Sequence, residues 1–87
     1  MIEAKEAAVN AARYFKELTE YSGAVTVEEV EFDDATQKWL ITLGYMEEPE
    51  KAFFGESKKA NKVFRVDANS GKVISMKIRD LNTKIIY

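Results

Sequence analysis

The apolar residues of this chain change their period once. Up to about residue 20 they recur every third or fourth position, and from residue 25 onward they recur every second. The first spacing marks one face of a helix and the second one face of a strand. A single helical stretch followed by several strand-period stretches leaves few folds open. The helix must lie across the apolar side of a sheet built from the rest.

Within residues 2–20, Ala4, Ala8, Ala11, Phe15 and Leu18 fall in one stripe. Most of that stripe is alanine, which favours the helix intrinsically and lets its axis approach a sheet closely. Ser22-Gly23 is the stop signal, with Gly23 suited to the left-handed position that ends many helices.

Residues 25–33 (VTVEEVEFD) alternate with a fault: Val25 and Val27 share one phase, Val30 and Phe32 the other. No strict period of two can put all four on one face, so a β-bulge is expected near Glu28-Glu29. Asp33-Asp34-Ala35-Thr36 supplies turn chemistry. Residues 38–46 (KWLITLGYM) form the most apolar strand, with Trp39, Ile41, Leu43 and Tyr45 on its stronger face. Residues 47–61 carry the only proline, a glycine and many charges, and read as a long connection.

Residues 62–67 and 72–79 alternate again. Phe64 and Val66 are in phase with Ile74, Met76 and Ile78, while Arg65, Ser75, Lys77 and Arg79 point the other way. Ala68-Asn69-Ser70-Gly71 between them is a hairpin turn with Gly71 placed for positive φ. The expected fold is therefore α+β: one N-terminal helix packed on a four-stranded antiparallel meander sheet, a single domain over residues 1–87. Its core should join the helix stripe to Ile41, Leu43, Phe64, Val66, Ile74 and Met76.

Composition narrows the function. The chain has no cysteine, so neither a disulfide nor a thiolate metal site can form, and no histidine, which removes the commonest general base and zinc ligand. Glu28, Glu29, Glu31, Asp33 and Asp34 cluster, but neighbours along a strand alternate faces instead of converging in a cleft. Asp67-Ala68-Asn69-Ser70-Gly71 resembles the start of a calcium loop. Its glycine comes one position early, and Ile78 stands where the bidentate glutamate belongs. No residue is assigned a catalytic, cofactor-binding or metal-ligating role, and the chain reads as not an enzyme.

The first twenty residues are interrupted by charge too often for a signal peptide, and no window reaches the length of a membrane span. Read as complete from Met1, the chain is expected in the cytoplasm, away from a membrane.

Charge is uneven. Residues 1–43 hold four basic and nine acidic side chains, residues 44–87 nine basic and six acidic. That spread fits a solvated surface whose first half is acidic, or a basic sheet face that attracts an acidic partner. Arg65, Lys77 and Arg79 could share that face with Lys62 and Lys72. It offers no aromatic for stacking bases, which argues against nucleic acid. Phe53-Phe54, inside the charged connection, either cap the core or anchor a protein partner. The tail residues Ile85, Ile86 and Tyr87 want burial, and with Leu40, Val63 and Val73 they leave the second face of the sheet partly apolar. Either the tail folds over its own sheet or two copies pair, and a homodimer is the favoured outcome.

The helix, then WLITLGYM, then VFRVDANSGKVISMKI resembles a PepSY-like domain. The shared feature is a strand ending in valine–aspartate, a short turn with glycine, and a strand beginning lysine–valine. It covers about 30 residues specifically and most of the chain by element order. The element order also resembles the cystatin-like arrangement of a helix held in a curved sheet. The resemblance implies a non-enzymatic protein-interaction or regulatory module, with a peptidase inhibitor docking by a loop as the alternative. The candidate partner-binding residues are Phe53, Phe54, Arg65, Lys77, Arg79, Ile85, Ile86 and Tyr87.

Overall fold

Alanines set how closely the helix and sheet approach. In the computed structural model, which describes residues 1–47 and 58–79, helix α1 spans Ala4–Thr19. It buries Ala7, Ala11 and Phe15, each one turn beyond the last, with Ala8, Ala12 and Tyr14 partly buried beside them. Glu6 in the first turn and Lys16 in the last suit the helix dipole. The chain stops the helix at Glu20, which takes the left-handed conformation at φ 60°, so the terminator is not Gly23. The stripe is buried only over its middle: Leu18, in phase with it, is 56% exposed in the last turn.

Four strands follow in sequential order: β1 (Val25–Asp33), β2 (Lys38–Glu47), β3 (Lys58–Asp67) and β4 (Val73–Ile78), all antiparallel neighbours. This is the expected α+β arrangement. β3 starts four residues earlier than its alternation suggests, because Lys58–Asn61 continue the ladder opposite Gly44–Glu47.

The register shift in β1 falls between Val27 and Glu29, where the phase break requires it. Glu28 is the extra residue, so Val25, Val27, Val30 and Phe32 all stand on the helix side opposite Tyr45, Leu43, Ile41 and Trp39. β4 contains a second shift, with Ile74 as the extra residue: Val66 faces Val73 while Arg65 faces Ser75. The core therefore takes Val73 in place of Ile74, which is 50% exposed.

Ile41, Leu43, Phe64 and Val66 are buried with the helix residues, and Met76 packs at the margin. Phe15 anchors the cluster, its ring 4.7 Å from Tyr45, 5.5 Å from Tyr21 and 6.2 Å from Phe64. Ties at the other end fix the helix start. The Ile2 amide donates to Ala68 O at 2.7 Å, the Trp39 indole to Ile2 O at 3.1 Å, and Asn10 Nδ2 to Gly71 O at 3.0 Å. Gly71 sits at φ +79°, as the hairpin turn demands. Among the described residues no helix is long and apolar enough to cross a membrane.

Candidate functional site

The helix covers one face of the sheet, and strand parity decides what stands on the other. Reading across the strands from β1 to β4, one row is Glu29, Thr42, Val63 and Lys77, and the next is Glu31, Leu40, Arg65 and Ser75. On one side of these rows lie Thr26, Gly44 and Asn61, and on the other Asp33, Lys38 and Asp67. Arg79 follows β4 and donates its amide to Asn61 O at 2.9 Å. The face thus runs from an acidic strand through a centre of Leu40, Thr42 and Val63 to a basic strand.

Arg65, Lys77 and Arg79 do meet on this open face, but they do not make it a basic patch. Arg79 reaches back over the sheet, and its guanidinium lies 2.9 Å from Glu29 Oε1. Lys59 Nζ lies 2.9 Å from Glu28 Oε2, and Lys38 Nζ lies 3.4 Å from Asp67 Oδ1. Within the sheet, Glu28, Glu29, Glu31 and Asp33 lie on β1 and Lys77 lies on β4.

Lys62 and Val73 do not belong to this face. Lys62 stands opposite Leu43 and Ile78 on the helix side, its ammonium 5.9 Å from the Tyr45 ring centroid, while Val73 packs against the core. Phe53, Phe54, Ile85, Ile86 and Tyr87 lie outside the described residues.

Gly44 makes the ionic cover over the sheet feasible. A Cβ there would lie 2.6 Å from Glu28 Oε2, 3.0 Å from Lys59 Cε and 3.1 Å from Asn61 Oδ1. The Thr26 hydroxyl donates to Glu28 Oε2 at 2.5 Å. That hydrogen bond first, then Lys59, holds the Glu28 carboxyl below its usual range. Asp33 is lowered mainly by the Thr36 hydroxyl, and Asp67 by the Ser70 amide and hydroxyl. These last two acids tie down their turns.

Three residues of this face carry no signal in the sequence: Thr42, buried at 1% exposure, and Asn61 and Ser75, whose Oδ1 and Oγ are buried without a hydrogen-bond partner.

The rings of Phe32, Trp39, Tyr45 and Phe64 all stand on the helix side, so among the described residues the open face has no stacking platform. A shallow concavity between Glu29, Glu31, Leu40, Thr42 and Arg79 indents the acidic side. Among the described residues no three acids, histidines or cysteines gather as a metal site would need. No protein-family model matches this chain, and neither a curated protein nor a solved structure matches it.

Proposed function

We propose that this chain is a non-enzymatic protein-interaction or regulatory module that docks through the open face of its sheet. One observation carries the reading: the face without the helix presents a partly apolar centre, Leu40 and Val63, between an acidic and a basic strand. Interfaces combine that apolar centre with a polar, charged rim. The absence of histidine and cysteine from the sequence supports a binding role over catalysis. The PepSY-like hairpin supports a regulatory module, an analogy of fold and not of site. Cytoplasmic placement belongs to the same proposal.

A photo-cross-linking residue at Met46, exposed at one end of the open face, tests this in the native host against the same residue at Val9 on the helix. The reading expects a discrete protein adduct from Met46 that Arg65→Glu/Lys77→Glu abolishes, and none from Val9. Equal adducts from both positions, or none from either, contradict it. Inhibition of one member of a peptidase panel by the unmodified protein would favour the inhibitor reading instead.

A further inference from the structure

We propose that this chain associates edge to edge, β1 of one copy pairing antiparallel with β4 of the next. The contact uses the two outer strands and leaves the open face to the partner proposed above.

The backbone decides which groups the edges offer. Arg79 donates its amide to Asn61 O, and Ala68 donates its amide to Gln37 O. Residues of an antiparallel strand bond alternately to the neighbours on its two sides, so these bonds and the register orient every strand of the sheet. On β4, Ser75 and Lys77 bond to β3, and Met76 and Ile78 turn their N–H and C=O groups outward. On β1, Glu29 and Glu31 bond to β2, and Val30 and Phe32 turn theirs outward. The side chains of these four outward residues all stand on the helix side, with Ile78 80% and Val30 44% exposed.

Charge selects the occupant. β1 carries acids and no cation, and β4 carries a lysine and no acid. Two β1 edges therefore repel each other, as do two β4 edges, whereas a β1 edge attracts a β4 edge. Within the sheet β1 and β4 run in opposite directions. A second copy in the same orientation thus sets its β4 beside β1 as an antiparallel neighbour, with its helix on the same side.

The bulges set the register. The regular stretches are residues 29–33, between the β1 bulge and the turn, and residues 75–79, beyond the β4 bulge. Laid against each other, they bring Val30 opposite Ile78 and Phe32 opposite Met76, the hydrogen-bonding pairs, and Glu31 opposite Lys77. A slide of two residues either way sets a bulge or a turn against the partner strand. Glu31 and Lys77 are exposed and stand in no ion pair among the described residues, while Arg79 stays with Glu29 of its own copy.

The contact is heterologous. Each copy keeps one edge free, so association continues past two copies. A stretch of about five residues spans only about 17 Å at about 3.3 Å per residue, so each contact is weak, and its charge pair makes it sensitive to salt.

Sedimentation equilibrium of the full chain at low ionic strength, up to about 1 mM, tests the proposal. The mass of the wild type should rise past that of a dimer with concentration and fall back to the monomer in salt. Glu31→Lys and Lys77→Glu each set like charges opposite one another, and each alone should abolish association. Glu31→Lys/Lys77→Glu in one chain should restore it. Those two side chains sit on opposite edges of the sheet, so the restoration arises between copies. Ile78→Pro removes an outward N–H without touching the ladder to β3, and it should also leave a monomer. Circular dichroism checks that each variant folds; the charge changes, at exposed positions, decide the matter should the proline variant not fold. A wild type that stays monomeric or stops at a dimer would overturn the proposal. So would single charge variants that associate like the wild type, a folded double variant that remains monomeric, or a folded Ile78→Pro chain that still associates.

Discussion

The two faces of this sheet are built from the same strands, one residue out of step, and they are held by different forces. On the helix side, Phe15, Ile41, Leu43, Phe64 and Val66 are almost wholly buried, and tilted and edge-on rings fill the space between them. On the open side, Glu28 with Lys59, Glu29 with Arg79 and Lys38 with Asp67 span the surface as ion pairs. The first arrangement depends on volume, and a missing methylene is felt throughout the core. The second depends on charge, which solvent screens and side chains can re-form with another partner. Packing therefore holds one face, and charge organises the other.

Replacing Phe15 with alanine should break the comparison most visibly. The ring touches Tyr21, Tyr45 and Phe64, and its loss should cost about 3–5 kcal/mol, a large share of the stability of a domain this small. Denaturant unfolding measures it, and a variant as stable as the parent would contradict the placement of the helix.

Gly71→Ala comes next. The position has φ +79°, and a Cβ would lie 3.0 Å from Asn10 Nδ2, so the left-handed backbone alone should cost about 1–2 kcal/mol. The same change at an exposed, extended residue such as Lys77 should be nearly silent.

Acid sharpens the contrast further. Glu28, Asp33 and Asp67 have folded-state carboxyls below their ordinary values of 4.5, 3.8 and 3.8. The unfolded chain then binds protons first, so their contribution is complete above those values and disappears as pH falls through the lowered ones. Unfolding midpoints measured downward from pH 5 should decline in that window. Glu28→Gln, which removes one of these groups, should flatten the decline. A midpoint independent of pH there would contradict the hydrogen bonds assigned to these acids.

Leu18→Ala should matter least, shifting stability by no more than about 0.5 kcal/mol, because the side chain is 56% exposed. A loss near that of Phe15→Ala would restore Leu18 to the core.

Where the sequence allowed only one answer, the fold was legible in it. The bulge in β1 was required because two valines in one phase and Val30 with Phe32 in the other cannot share a face of a regular strand. The bulge in β4 was hidden: Val73 and Ile74 are both apolar, so either could face the core, and alternation with Met76 and Ile78 favoured the wrong one. The helix stripe was placed correctly through Ala11 and Phe15, but alanines at 4, 7, 8, 11 and 12 spread round the helix and leave its limits undetermined by periodicity. The open face was legible as a set of cations, Arg65, Lys77 and Arg79, since parity alone places them together. Their acidic counterparts were not, because the pairing of Arg79 with Glu29 joins residues fifty apart and depends on the strand order β1-β2-β3-β4.

The difference between the two faces is tested most directly by the side-chain methyl groups, followed by NMR as salt is added to a low-salt sample. Thr42, Leu40 and Val63 report on the open face, Leu43 and Val66 on the core, and Val9 and Leu18 on the outer helix. Salt-dependent shifts at Thr42, Leu40 and Val63, with Leu43 and Val66 unmoved, are the predicted result, because screening loosens the ion pairs over one face and leaves the packing of the other unchanged. Shifts at Leu43 and Val66 as large as these, or none at Leu40 and Val63 up to the highest salt concentration, would contradict it.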